Sequence, residues 1–222
     1  MVGVFERVFS TPKVFRGEKH ATTRHLSEYS TLDFEMGFIT DHRDVMAMLE
    51  HTVRSMVEAV VREHPAAFKL LGAELPLITE KPFPVLKLRE AQKILGAKDE
   101  PDLEPEQERA ICEWAKKEKG SDFIFITHYP VSKRPFYTYE DENDKGFTKS
   151  FDLLFRGLEI TTGGQRVHDY DTLVQKARDK GLDPEKFSFY LQAFKYGMPP
   201  HGGSATGLER FTARILNLPN VP

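Results

Sequence analysis

Apolar and polar residues follow two periods along this chain, and the switches between them outline its elements. Over 31–39 the residues alternate. Leu32, Phe34, Met36 and Phe38 fall on one side and Asp33, Glu35 and Gly37 on the other, which predicts a strand. Two acids on one strand face require that face to meet water, a metal or a ligand. The period then becomes helical: Val45, Met48, Leu49, Thr52, Val53, Met56, Val57 and Val60 predict a helix over 43–64, with Asp41 near its start as a cap and Pro65 barring its continuation. Upstream, 4–9 and 13–16 read as two strands joined by a turn at Ser10-Thr11-Pro12.

Downstream, 69–84 reads as a connector, 88–95 as a short helix, and 103–119 as a helix with Pro105 in its first turn and Gly120 just past its end. Residues 65–120 are therefore expected to form a helical insertion between runs of strands. Strand character returns at 123–127, 134–138, 151–155 and 158–162, with an exposed charged hairpin loop at 140–149 and a tight turn at Arg156-Gly157. Helices follow at 171–180 and 184–194, then a stiff, glycine-terminated loop from Tyr196 to Gly203, then a last helix over 208–216. Many strands with helices inserted between them predict an α+β fold, an antiparallel sheet flanked by helices, in one domain over 1–222.

Composition narrows the function classes. The chain has 222 residues, with 31 basic against 34 acidic, so no whole-molecule field draws it to nucleic acid and any such contact must be local. A single cysteine, Cys112, sits in a helical pattern and reads as a packed thiol, which suits a reducing compartment. No apolar run is long enough to span a bilayer, and the N-terminus lacks a signal pattern, so a cytoplasmic protein without membrane contact is expected. The chain enters apolar residues almost at once and reads as cut into an existing fold.

Candidate chemistry gathers in three places. Arg16 and Glu18 read as sharing a strand face, with Arg24 and His25 in the loop that follows. Glu159 lies on a strand that reads as running into a Gly163-Gly164 turn, which would let Arg166 point back over the sheet. Gly203, Gly207 and Arg210 read as a glycine-rich opening to the last helix. Arginines fixed from distant parts of the chain suit a triphosphate, because guanidinium neutralises phosphate and also lies flat on a base. Acids on the sheet would hold a divalent cation among phosphate oxygens. A P-loop, a dinucleotide fingerprint and a zinc cluster are all missing from the sequence.

Together these runs resemble the class II aminoacyl-tRNA synthetases. Phe15-Arg16-Gly17-Glu18 with Arg24-His25-Leu26 is similar to their motif 2. Gly203-Ser204-Ala205-Thr206-Gly207-Leu208-Glu209-Arg210 is similar to motif 3. Asp33-Phe34-Glu35-Met36, Arg134-Pro135-Phe136-Tyr137, the Glu159-to-Arg166 segment and the Tyr196-to-Gly203 run resemble the aspartyl branch of archaeal and related bacterial type.

The resemblance implies ATP, L-aspartate and tRNA as partners and Mg²⁺ as cofactor. In that reading Arg16 binds the α-phosphate, Glu18 sits at the adenine edge, and Arg24 and His25 meet the outer phosphates. Tyr29 and Arg210 cover the two faces of adenine, with Gly207 beside them. Glu159 and Thr162, with Asp152 a further candidate, hold the metal. Asp33 lies near the substrate amino group, Arg166 pairs with the side-chain carboxylate, and Gly163 and His201 line the amino-acid pocket. The family's homodimer is implied too, although the sequence lacks motif 1, the upstream amino-acid-contacting segment and an anticodon-binding domain. Alternatives on the same scaffold are an asparaginyl-tRNA synthetase, a synthetase-like asparagine synthetase, and a non-catalytic paralogue.

Overall fold

The structure, a computed structural model, describes residues 2–17 and 26–219. The first apolar run is a short helix, α1 (Val2–Phe5), and not the start of a strand. β1 (Arg7–Ser10) and β2 (Lys13–Phe15) follow. These two strands do not pair with each other. Both pair antiparallel with β3 (Glu28–Gly37), β1 along residues 33–36 and β2 along 28–30. The turn at Ser10-Thr11-Pro12 therefore steps the chain along one edge of β3, because a proline there cannot donate to a hairpin ladder.

α2 (His42–Glu63) begins with a capping box in which the Asp41 side chain accepts from the Arg43 amide and Asp44 answers from the third position. Pro65 ends α2 and opens the next helix, α3 (Pro65–Leu71), where its missing N–H costs nothing. β4 (Val85–Lys87), α4 (Leu88–Leu95) and α5 (Pro105–Lys119) come next. Left-handed Gly72, Gly96 and Gly120 end the three helices α3, α4 and α5.

β5 (Phe123–Thr127), β6 (Ser150–Phe155) and β7 (Leu158–Arg166) form the middle of the sheet. Positive φ at Arg156 and Gly157 makes the tight β6–β7 turn. α6 (Tyr170–Asp179), a 3-10 turn at Pro184–Phe187 and α7 (Ser188–Lys195) lead to β8 (His201–Gly207) and α8 (Leu208–Ile215).

The strands are ordered β1-β3-β8-β7-β6-β5-β4, with β2 also on β3. Every pairing is antiparallel except β4 on β5, which makes the sheet mixed at that edge. Three sequence expectations fail here. Residues 134–138 form a turn and an isolated bridge to Arg166, not a strand. β7 runs straight through Gly163 and Gly164 to Arg166, with no turn. The glycine-rich run ahead of the last helix is itself the strand β8, paired on both sides. Glycine is a poor signal for strand, and here tertiary pairing overrides the propensity. The 140–149 loop is more tightly held than its charge suggested: Asp141 and Thr148 are buried, and Thr148 donates to the Tyr129 carbonyl.

The two faces of the sheet differ. Phe123, Phe125, Phe151, Leu153 and Phe155 pack with Val45, Leu49, Val53 and Val57 of α2 and with Phe211 and Ile215 of α8. On the opposite face Ile124, Ile126 and Leu154 lie under α4 and α5, through Leu88, Ala91, Ile111 and Ala115. Covered on both sides, β5 is buried at all five positions. α4 and α5 cover the β5–β6 part of that face and reach only the near end of β7, so the face of β3 and β8 and the rest of β7 stays open. A third cluster around Val167, Leu173, Leu191 and Phe194, with Tyr137 and Tyr139 against it, walls the end of β7. Among the described residues no helix is long and apolar enough to cross a membrane.

Candidate active site

The open face is a trough whose floor is β8. Cross-strand register places Asp33, Ala205, Thr162 and Asp152 in one row over β3, β8, β7 and β6, and Glu35, Gly203, Gly164 and Ser150 in the next. Because side chains alternate, the cleft side of β8 carries only Gly203, Ala205 and Gly207 between those acids and β7. The smallness at Gly203 is required: a Cβ there would lie 2.5 Å from Glu35 Oε2 and also collide with the Phe34 carbonyl. Gly163 has the opposite facing. Its missing Cβ would strike Phe151 and Ser204 on the core side, so only its backbone borders the cleft.

Two cavities of about 470 and 540 Å³ lie along the trough, within the size range of small-molecule sites. The first is bordered by Arg16, Tyr29, Glu159, Gly207, Glu209 and Arg210. The second is bordered by Glu35, Arg134, Tyr137, Arg166 and Gly203. Arg16, Asp33, Thr162 and Ala205 border both, so the two cavities are adjoining compartments that meet at an arginine.

In the first compartment the Arg16 guanidinium lies 5.3 Å from the Tyr29 ring centre. Arg210, in the first turn of α8, donates from Nη1 to the Glu159 carbonyl at 3.0 Å and stands 3.8 Å from the Glu159 carboxylate. Glu209 ties the same helix to β3 by accepting from the Ser30 amide at 2.7 Å. Burial in the cleft pushes Glu159 up to about 7, and the nearby charge of Asp152 adds to this while Arg210 opposes it.

In the second compartment Arg166 Nε is 2.8 Å from Glu35 Oε1, and its guanidinium lies 4.7 Å from the Tyr137 ring centre. Burial still raises Glu35 above the ordinary carboxylate range, against the pull of Arg166 and with a push from Asp33. Burial is the largest single influence on Arg166 and works against its charge, but Glu35, Tyr137 and Tyr190 together outweigh it and hold the guanidinium charged. Arg134 donates from Nη2 to Asp152 at 2.7 Å and from Nη1 to the Thr162 hydroxyl at 3.1 Å, stacked 3.9 Å over Tyr129.

The structure thus brings Arg16, Tyr29, Asp33, Glu159, Thr162, Arg166, Gly207 and Arg210 into one cleft. His201 is buried beside Phe194, with Nδ1 3.0 Å from the Pro199 carbonyl, and borders neither compartment. Glu18, Arg24 and His25 lie outside the described residues. Glu35 and Arg134 join the site without having been singled out as site residues. The signal for Glu35 was its alternation with Asp33. Arg134 lay in a run quoted for the resemblance but had no periodic signal to place it, because its turn brings it over the sheet only after folding.

For a divalent cation, no trio of acidic, histidine or cysteine side chains stands together among the described residues. Mg²⁺ needs less than that: one or two carboxylates complete a shell of phosphate oxygens and water. Glu159, raised by burial and by the nearby charge of Asp152, and Asp152, whose Oδ1 is buried without a partner, supply hard carboxylate oxygens of the kind such a cation takes. The residues present fit the ion.

The family model for class II tRNA synthetases (D, K and N) matches residues 1–222, and the chain belongs to that family. Its relatives include aspartate–tRNA(Asp/Asn) ligase of Thermus thermophilus, 51% identical over all of this chain and 53% of that protein. Another is aspartate–tRNA(Asp) ligase of Thermoplasma acidophilum, 45% identical over 98% of the chain and 50% of that protein. Among solved structures, aspartyl-tRNA synthetase from Entamoeba histolytica superposes with a TM-score of 0.92 at 33% identity, covering 99% of this chain and 47% of that one. Asparaginyl-tRNA synthetase from Pyrococcus horikoshii, complexed with asparaginyl-adenylate, reaches 0.91 at 33% identity, covering 99% and 51%. The chain spans about half the length of the curated relatives it matches.

Proposed function

We propose that this chain is the core of an aspartate–tRNA ligase that joins L-aspartate to the α-phosphate of ATP, releasing pyrophosphate, and passes the aspartyl group to tRNA. The observation that carries the reading is the pair of compartments meeting at Arg16, Asp33, Thr162 and Ala205. One holds flat cationic and aromatic groups suited to a base and phosphates. The other holds a charged arginine suited to a carboxylate. A reaction that joins a nucleotide to an acidic amino acid needs both, with a cation at their junction.

In this reading the Tyr29 ring and the Arg210 guanidinium take adenine between them. Arg16 neutralises the α-phosphate as the substrate carboxylate attacks it, which brings two anions together and makes catalysis largely a matter of positioning and charge. The attack forms a bond from a carboxylate oxygen to the α-phosphorus and breaks the α-phosphorus–oxygen bond to pyrophosphate, which leaves with the electron pair. Asp33 faces the substrate ammonium. Arg166, exchanging Glu35 for the ligand, binds the side-chain carboxylate. Glu159 and Thr162 would hold Mg²⁺, which supplies charge neutralisation on the phosphates. Glu18, Arg24 and His25 remain proposed phosphate and adenine contacts, and Gly163 and His201 proposed shapers of the amino-acid side. Residues 65–120 are proposed as a helical insertion within one partial catalytic domain. Cytoplasmic location, tRNA binding and a homodimer belong to the same proposal.

The aspartyl reading is favoured over the asparaginyl one by the half-buried, charged Arg166, since an amide would leave that cation unpaired. ATP–pyrophosphate exchange measured with aspartate and with asparagine tests it. Exchange with aspartate alone supports the proposal, exchange with asparagine alone reverses the specificity, and exchange with neither removes the activity from this chain.

A further inference from the structure

Arg134 does something the proposed reaction does not ask of it. Its fork bridges adjacent strands, one arm on Asp152 of β6 and the other on Thr162 of β7, residues that face each other in register. Those oxygens, with the neighbouring Glu159 carboxylate, are the hard donors a divalent ion would take. Guanidinium cannot lose its charge, so it can yield those oxygens only by moving away. Its backbone sits in a turn and not in a strand, so that movement breaks no ladder. The contact is also unsaturated: Asp152 Oδ1 and Arg134 Nε are both buried without a hydrogen-bond partner.

We propose that Arg134 competes with the divalent cation for Asp152 and Thr162, a built-in placeholder charge that makes metal binding depend on the nucleotide. Metal alone, offered only side-chain oxygens, does not displace a fork held on both arms and stacked on Tyr129. Metal carried on phosphates brings most of its ligands with it and can. The inference rests on the cleft being a metal–nucleotide site, as proposed above.

Mn²⁺ binding followed by electron paramagnetic resonance, without nucleotide, tests it directly. Arg134→Met keeps the packed stem and removes the charge, and should bind Mn²⁺ at least about ten-fold more tightly than the unaltered chain. Arg134→Lys keeps a charge beside Asp152 and should stay near the unaltered chain. Adding Asp152→Asn to Arg134→Met should abolish the gain. A folded Arg134→Met variant with unchanged or weaker Mn²⁺ binding would overturn the proposal. Should that variant fail to fold, the guanidinium NMR signal of Arg134 in the unaltered chain, assigned by its loss in Arg134→Lys, provides the second measurement. It should shift when Mg²⁺ and a non-hydrolysable ATP analogue saturate the cleft, and a fixed signal would overturn the idea. Pyrophosphate exchange run in parallel reports on the proposed activity separately, since the metal titration needs no turnover.

Discussion

Replacing Gly203 with alanine adds one methyl group at the tightest point of the cleft floor. The new Cβ would sit 2.5 Å from Glu35 Oε2 and 2.9 Å from Glu35 Cδ, and against the Phe34 carbonyl. The side chain can swing, but the carbonyl belongs to β3, which is held in the ladder to β8 and cannot swing alone. Overpacking of this kind costs about 1–3 kcal/mol. Driving Glu35 off Arg166 adds to that, modestly, because both side chains keep some water contact, at 23% and 33% exposure. A total loss of about 3 kcal/mol is expected, worth roughly 6–12 °C in the thermal midpoint of a domain this size. Urea unfolding of Gly203→Ala measures it. Gly17→Ala is the control, since nothing lies within 4 Å of a Cβ there, and it should stay within about 0.5 kcal/mol. A loss below about 1 kcal/mol for Gly203→Ala would mean that β8 shifts freely, and would refute the account of the trough as a rigid floor of small residues.

Other predictions concern charge. Arg166→Lys loses the fork that matches a carboxylate and should lower aspartate-dependent pyrophosphate exchange by about 100-fold or more, with little change in stability; an unchanged rate removes Arg166 from the site. Arg156 Nε donates to buried Asp122 at 3.0 Å, and its other nitrogens reach the carbonyls of Arg214, Glu74 and Leu75, so Arg156→Met should cost about 3 kcal/mol in urea unfolding. Burial pushes His42 down to about 4, so below pH 6.5 the unfolded chain binds a proton that the native state refuses, and stability falls as pH drops from 6.5 toward 4. Glu159, raised to about 7, titrates with the opposite sign, so the histidine contribution is read as the difference between the chain and His42→Asn. That difference should change by about 3 kcal/mol between pH 7 and pH 4, and a constant difference would refute it.

Much of the fold was legible in the residues because its signals are local. Helix α2 announced itself through one apolar stripe and an aspartate cap, and helix α5 through Pro105 and Gly120 at its two ends. The alternation in β3 also marked Asp33 and Glu35 as facing something other than core. Local signals failed where the partner decides the conformation. The run from His201 to Gly207 has the composition of a loop, yet it is a central strand because β3 and β7 supply both ladders, and at Gly202 and Gly203 they leave no room for a side chain. Gly163 and Gly164 misled for the same reason: their smallness serves close packing against Phe151 and Ser150, not a turn.

The sequence by itself determined which chemistries are present, since arginines, acids and small residues in that order already resemble one family of enzymes. Only the tertiary structure decided which of them meet. Register across four strands sets Asp33, Thr162 and Asp152 in one row, and a turn far from any periodic signal lays Arg134 over two of them. Residue type sets what a group can bind. Its distance from charges elsewhere in the chain sets what it does, and that distance exists only once the sheet has closed.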